Sequence, residues 1–424
     1  MSGILGVFSF EDYVIFPKIY YGLYALQHRG QEGVGIGTID QGQVNVHQNK
    51  GLISENFGTG LVDTMPGNKG IGFVEYNIHG ENRAKMPVAR DNSLLGIDGV
   101  IDNPNFSIDE CMDYLNGDLI ELQRYFETIT GKFTLVFMSD ERLIVMKNQD
   151  GIKPLAIGRL GNTMIASSET CAIETIGGRI IREIQPGEMF VQTKDQSTSY
   201  YLTNSIEATE NLDAFEFIYT ARPDSILDGV SVYDARYRLG QALWQEQPLD
   251  NAIVIGAPDS GIIASLGYAN ASGLPYQEGF VRNRYVGRTF IKATQLDREQ
   301  GLQVKLTPIR QNVANRNIIL VDDSIVRGTT IKRTVESLKE MGANSVHVRI
   351  ASPAILNSIG DTLDITDIKD LIAANHSLDE MREQIGCDSL HFLSLDGFHR
   401  AIGRNQLYDY YFKRADHKED SSWV

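Results

Sequence analysis

The chain has little cysteine: three in 424 residues, at Cys111, Cys171 and Cys387. They stand far apart and form no CxxC pair. That excludes a disulfide framework and fits a reducing cytoplasm. Excess basic charge is missing too. Lys plus Arg total 39 against 55 Asp plus Glu, a formal net charge of -16. This excludes a general nucleic-acid binder but not a local basic site for one anionic ligand. The opening MSGILGVFSFED lacks the basic n-region of a secretory signal. No run approaches the roughly 20 apolar residues of a membrane span, so no membrane partner is expected. Hydrophobic content of 42% and charged content of 22% are ordinary for a globular protein. The length implies two domains.

One stretch organises the chain, Asn317 to Thr330, NIILVDDSIVRGTT. Ile318 to Val321 read as a buried strand. Asp322 and Asp323 follow, then the small and hydroxylated residues Ser324, Arg327, Gly328, Thr329 and Thr330. Beyond them the period turns helical, with Ile331, Val335, Leu338 and Met341 on one face and Gly342 in the C′ position. Strand, acidic tip, turn and helix together suit a phosphate held on backbone N–H groups. The acids suit sugar hydroxyls, directly or through a magnesium ion. A ribose bearing a 5-phosphate and a pyrophosphate needs all of these. Paired aspartates after a strand are often mere caps or solvated turns. The whole string is far more specific: it resembles the phosphoribosyl pyrophosphate (PRPP) signature of the glutamine PRPP amidotransferase family.

Residues 1–215 are strand-rich. GILGVFSF, GVGIGTID, QVNVHQN, IGFVEYNI, FTLVFMSD, RLIVMKN, TMIASSE and EMFVQTK read as short strands, and Ile19, Leu23 and Leu26 mark one early helix that Gly30 ends. Such a pattern argues an α+β domain of stacked sheets. Gln27-His28-Arg29-Gly30-Gln31-Glu32, Asp150 to Leu155, and Ala166-Ser167-Ser168-Glu169 followed by Pro186-Gly187-Glu188 resemble the same family's N-terminal nucleophile (Ntn) hydrolase-like glutaminase domain.

The chemistry is where this half departs. The resemblance implies a nucleophilic cysteine after the initiator Met, and Ser2 stands there. It implies an arginine that grips the glutamine carboxylate, and Glu75 stands there, where like charge repels. It implies an oxyanion-hole asparagine, and Asp98 stands there without an amide donor. The family's SDTE segment has no clear counterpart in FSIDECMDYLNGDLIELQ. Glutamine hydrolysis is expected to be lost. An N-terminal serine serves as nucleophile in related folds, so serine-dependent glutamine use is a standing alternative.

Residues 216–415 alternate strand and helix, as a doubly wound parallel sheet does. A helix with Tyr233, Tyr237, Leu239 and Leu243 on or near one face follows ARPDS; strands are expected at Ser345–Ile350 and Leu390–Leu395. Ala257-Pro258-Asp259-Ser260-Gly261 resembles the family's pyrophosphate loop. Arg282-Asn283-Arg284-Tyr285-Val286-Gly287-Arg288-Thr289-Phe290-Ile291 resembles its lid. Arg282 stands where the family has lysine. A type I phosphoribosyltransferase domain of α/β class is implied. Residues 416–424 are expected to be a disordered tail.

The resemblance implies that Arg282, Arg284, Tyr285 and Arg288 close over PRPP and that Asp259, Ser260 and Gly261 hold pyrophosphate. It implies that Asp322, Asp323, Ser324, Arg327, Gly328, Thr329 and Thr330 hold the ribose and its phosphate, with Ser260, Asp322 and Asp323 near Mg²⁺. Ammonia or glutamine as nitrogen donor, purine nucleotides as inhibitors and a homo-oligomer are further implications. Many members carry an iron–sulfur cluster on four cysteines. The matching positions here carry Asp213, a stretch after Pro353 without cysteine, and a tail without CxxC, so no cluster is expected. A second reading from another class is a non-catalytic PRPP- or nucleotide-binding regulator, associated with a true amidotransferase.

Overall fold

The computed structural model describes residues 2–58, 60, 64–76, 85–202, 212–283, 306–358 and 367–413. The lid expectations at Arg284, Tyr285 and Arg288 and the tail over 416–424 lie outside these residues.

In the first half, two antiparallel sheets stack face to face. The seven-stranded sheet has at its centre Gly3–Ser9, flanked by Thr163–Ser167 and Lys69–Glu75. Its far side carries Gly33–Asp40 and Gln43–Lys50. The six-stranded sheet runs from Ser197–Tyr201 through Glu188–Thr193, Arg142–Lys147, Gly131–Met138 and Ser93–Ile101 to Val88–Arg90. Side chains alternate across a strand, and Gly3–Ser9 shows the result. Ile4 and Phe8 enter the core shared with Leu94, Val136 and Met138 of the other sheet. Leu5 and Val7 point the other way, against Ile19, Leu23 and Leu26 of the helix Phe16–Leu26. The opposite outer face is covered by helices Ile108–Asn116 and Leu119–Glu127, through Met112, Leu115, Leu122 and Phe126. These two helices are the stretch FSIDECMDYLNGDLIELQ. The half is thus a helix–sheet–sheet–helix stack, the Ntn-hydrolase-like arrangement.

The second half is α/β. Four parallel strands, Ile253–Gly256, Asn317–Asp322, Ser345–Ile350 and Ser389–Phe392, lie in that order. One face packs Val254 and Val321 against Leu239, Tyr268 and Phe398 of the helices Val232–Glu246, Gly261–Ser272 and Leu395–Ile402. The other packs Ile255 and Leu320 against Val335 and Met381 of Thr329–Glu340 and Leu378–Ile385. This is the type I phosphoribosyltransferase arrangement.

Two local readings are corrected. Tyr233 is 43% exposed, and Ala235, Leu239 and Leu243 carry the buried stripe of that helix. The expected strand to Leu395 stops at Phe392, because Ser394 caps the next helix by accepting from Gly397 N at 2.9 Å.

Candidate functional site

Parallel strands deliver their C-terminal ends to one edge, where ligands of open α/β sheets bind. Here Asp322 ends its strand beside the turn Asp323–Gly328, and Ser260 precedes the helix Gly261–Ser272. The two loops meet through a hydrogen bond of 2.5 Å that Ser260 Oγ donates to Asp323 Oδ1. Ser324 Oγ donates to the other oxygen of Asp323 at 3.0 Å, and Asp323 N donates to Asp322 Oδ1 at 2.9 Å. Gly261 permits this approach: a Cβ there would sit 2.5 Å from the Val321 carbonyl oxygen. Gly328 adopts φ +76° to turn the chain into the helix Thr329–Glu340. No side chain caps that helix, so its first N–H groups are free to meet an anion.

A cavity of about 570 Å³ opens over this edge. Ser260, Asp322, Asp323, Ser324, Arg327, Gly328, Thr329 and Thr330 line it, as expected. Asp259 and Gly261 do not. Asp259 instead pairs with Arg282 at the base of the lid segment, where the strands Phe280–Arg282 and Leu306–Pro308 pair. Arg327 lines the cavity while donating at 2.7 Å to Asp370. That exposed pair is weak enough for a phosphate to displace. Burial, and the adjacent Asp323, raise the Asp322 carboxyl well above the usual carboxylate range.

Tyr76, Phe215 and Tyr219, not anticipated from sequence, also line the cavity. Their signal lies in the fold, because Tyr76 belongs to the first half. A second cavity of about 570 Å³, between the helices Ile108–Asn116 and Leu119–Glu127, holds none of the expected residues.

Tyr76 joins the two centres. Its N–H donates to Ser2 Oγ at 3.4 Å. Ser2 is buried, and its own nitrogen donates to Asp98 Oδ1 at 3.0 Å. Asp98 is 1% exposed, and its Oδ2 has no partner among the described residues. Glu75 follows Val74, which pairs with Gly3, and its carboxylate lies beside Gly33 of the next strand. Arg29 Nε donates to the Ser2 carbonyl at 3.0 Å. The same guanidinium holds Glu169 at 2.7 Å and Glu216 at 2.8 Å, all three buried.

These two glutamates titrate in opposite directions. Burial opposes ionisation of both. For Glu169 the nearby His28 and Arg29 outweigh it and lower the carboxyl. Ser225 Oγ and the Arg222 N–H also donate to Glu169. For Glu216, burial together with the facing Glu169 and Asp213 outweighs Arg29, and its carboxyl is raised.

The two carboxylates and one hydroxyl at Asp322, Asp323 and Ser260 are hard oxygen donors on one wall, and fit a magnesium ion that shares its shell with phosphate oxygens. The thiols do not fit an iron–sulfur cluster. A cluster held by four thiolates needs four cysteines, and the chain has three, Cys111 and Cys171 in separate helices of the first half and Cys387 in the second.

No family model matches the chain. Full-length relatives do. An amidophosphoribosyltransferase of Bacillus subtilis is 36% identical over 431 residues, covering 95% of this chain and 90% of that protein. The corresponding protein of Archaeoglobus fulgidus is 37% identical, covering 95% and 94%. Among solved structures, the glutamine PRPP amidotransferase from B. subtilis complexed with ADP and GMP matches with a TM-score of 0.84 at 35% identity, covering 99% of this chain and 94% of its own. A structure described as the allosteric regulatory enzyme of purine biosynthesis matches with a TM-score of 0.87 at 34% identity, covering 100% and 97%.

Proposed function

The chain belongs to the amidophosphoribosyltransferase family, and from that premise we propose that it forms 5-phosphoribosylamine from PRPP, the first step of purine synthesis, with ammonia as nitrogen donor. In this reaction the C1–O bond to pyrophosphate breaks and its electron pair leaves with pyrophosphate. The ammonia nitrogen bonds to C1 and then loses a proton. The N–H groups at Thr329 and Thr330 hold the 5-phosphate, and the loop Asp259-Ser260-Gly261 holds pyrophosphate. Asp322 and Asp323 hold the ribose hydroxyls or ion-bound water. Magnesium, when bound, neutralises pyrophosphate charge. Arg282, Arg284, Tyr285 and Arg288 close over the substrate and exclude water. Purine nucleotides as inhibitors and a homo-oligomeric state belong to the same reading.

One observation carries the choice of donor. Ser2 N is held by Asp98, a carboxylate where glutamine hydrolysis needs a donor to an oxyanion. Asp98 therefore offers no amide donor to a glutamine-derived oxyanion, while the transferase wall keeps its acidic pair and turn. The test is pyrophosphate release from PRPP and Mg²⁺, with ammonia and separately with glutamine. Release with ammonia alone is expected; release with glutamine alone overturns the donor assignment. Release with neither favours the regulator reading.

A further inference from the structure

Asp213 is 1% exposed and lies where the family resemblance places a cluster ligand in many members. Here it is a hydrogen-bonded hub. Its Oδ1 accepts from Tyr411 Oη at 2.7 Å and from Phe215 N at 3.0 Å. Its backbone carbonyl accepts from Glu216 N at 3.1 Å, so this one residue heads the helical turn Glu216–Thr220. Its own N–H donates to the Ile152 carbonyl at 3.1 Å, in the first half of the chain.

Tyr411 is fully buried, and burial and Asp213 push its phenol well above its ordinary range, so it is a neutral donor. Its carbonyl accepts from Leu356 N at 2.8 Å and Asn357 N at 3.1 Å. The three stretches that the resemblance would join through a cluster, around Asp213, after Pro353 and near the C-terminus, are thus joined by hydrogen bonds.

The joint serves the cavity. Phe215 and Tyr219, at the two ends of the turn that Asp213 heads, line the transferase cavity together with Tyr76. The Phe215 ring is backed edge-on by Tyr411, centroids 5.9 Å apart, and meets Tyr219 at 6.3 Å. We propose that Asp213 and Tyr411 are positioning residues for the transfer reaction: they fix Phe215 and Tyr219 as the wall that keeps water from C1 while the amine is delivered. This rests on the function proposed above. If the wall loosens, water takes the place of ammonia at C1, its oxygen bonds to C1 with loss of a proton, and pyrophosphate still leaves.

The test compares Tyr411→Phe, Asp213→Ala and the conservative Asp213→Asn, which keeps one carbonyl acceptor. Pyrophosphate released and amine formed are measured with ammonia and saturating PRPP. The wild-type ratio is expected near unity. It should rise several-fold in Tyr411→Phe and Asp213→Ala and return toward wild type in Asp213→Asn, with KM for PRPP within about twofold because Thr329 and Thr330 are untouched. Amide hydrogen exchange across residues 212–220, which needs no turnover, should quicken about tenfold in the first two variants. An unchanged ratio together with unchanged exchange overturns the assignment. If the wild-type protein forms no amine from ammonia, the proposed function falls, and the exchange result still decides whether these two residues fix the turn.

Discussion

Ser2 donates its backbone N–H to Asp98 across 3.0 Å, at the corner where relatives are expected to hold a nucleophile and an oxyanion donor. The hydroxyl is occupied as well, accepting from Tyr76 N–H. Purified protein, with Met1 removed to expose Ser2, should therefore release glutamate from glutamine no faster than buffer, with or without PRPP. Ser2→Cys alone should not restore release, because Glu75 would repel the substrate carboxylate and Asp98 would oppose the oxyanion. Ser2→Cys combined with Glu75→Arg and Asp98→Asn should restore part of it, since residues acting as a unit are strongly non-additive. Robust release by the unaltered chain would mean that this corner is misread.

Asp322 and Asp323 converted together to Asn should abolish Mg²⁺-dependent PRPP binding without unfolding the protein. Asn at 323 can still accept from Ser260, so the loop joint survives. Calorimetry with and without Mg²⁺ reads the result, and undiminished affinity would remove the acidic pair from the site.

Hydrogen exchange across residues 282–291 should slow when a PRPP analogue and Mg²⁺ are bound. Closure of this segment over pyrophosphate would exchange the Asp259–Arg282 pair at its base for substrate contacts. Identical exchange in both states would favour a regulator that does not close over a reactive intermediate.

His399 is raised from its ordinary value, first by its hydrogen bond to Asp409 at 2.9 Å, with burial opposing. A raised histidine contributes stability that is fully present below the unfolded value of about 6.5 and is lost as pH rises through the folded value. The Tm difference between wild type and His399→Gln should accordingly shrink between mildly acidic and mildly alkaline pH. A difference that is constant or grows would contradict the pair.

Much of the transferase half was legible. Ile318 to Gly342 read as strand, acidic turn and helix because a fully buried strand, a special φ at Gly328 and an amphipathic helix each leave a local trace. The strands of the first half were legible for the same reason, since a short, fully buried apolar run such as Gly3–Ser9 reads as a strand. What escaped was set by distant neighbours. Tyr233 has the composition of a buried aromatic, yet Ala235, Leu239 and Leu243 take the core-facing line. Tyr76 and Phe215 reach the cavity only because the two halves meet there, and no window of sequence reports such a meeting.

The Arg29 cluster spans that meeting, with Glu169 from one half and Glu216 from the other. Arg29→Met should cost about 3–5 kcal/mol in urea unfolding, because both carboxylates lose their buried cation. A cost under about 1 kcal/mol would show that water or a rearranged neighbour compensates.

The same triad bears on how the chain can be divided. A cut between the halves would leave a guanidinium buried with one carboxylate in the first piece and an orphaned carboxylate in the second. Neither fragment inherits a neutral surface where the other was. The halves therefore share one buried charge cluster, and a chain without the first half would expose the Glu216 carboxylate to water.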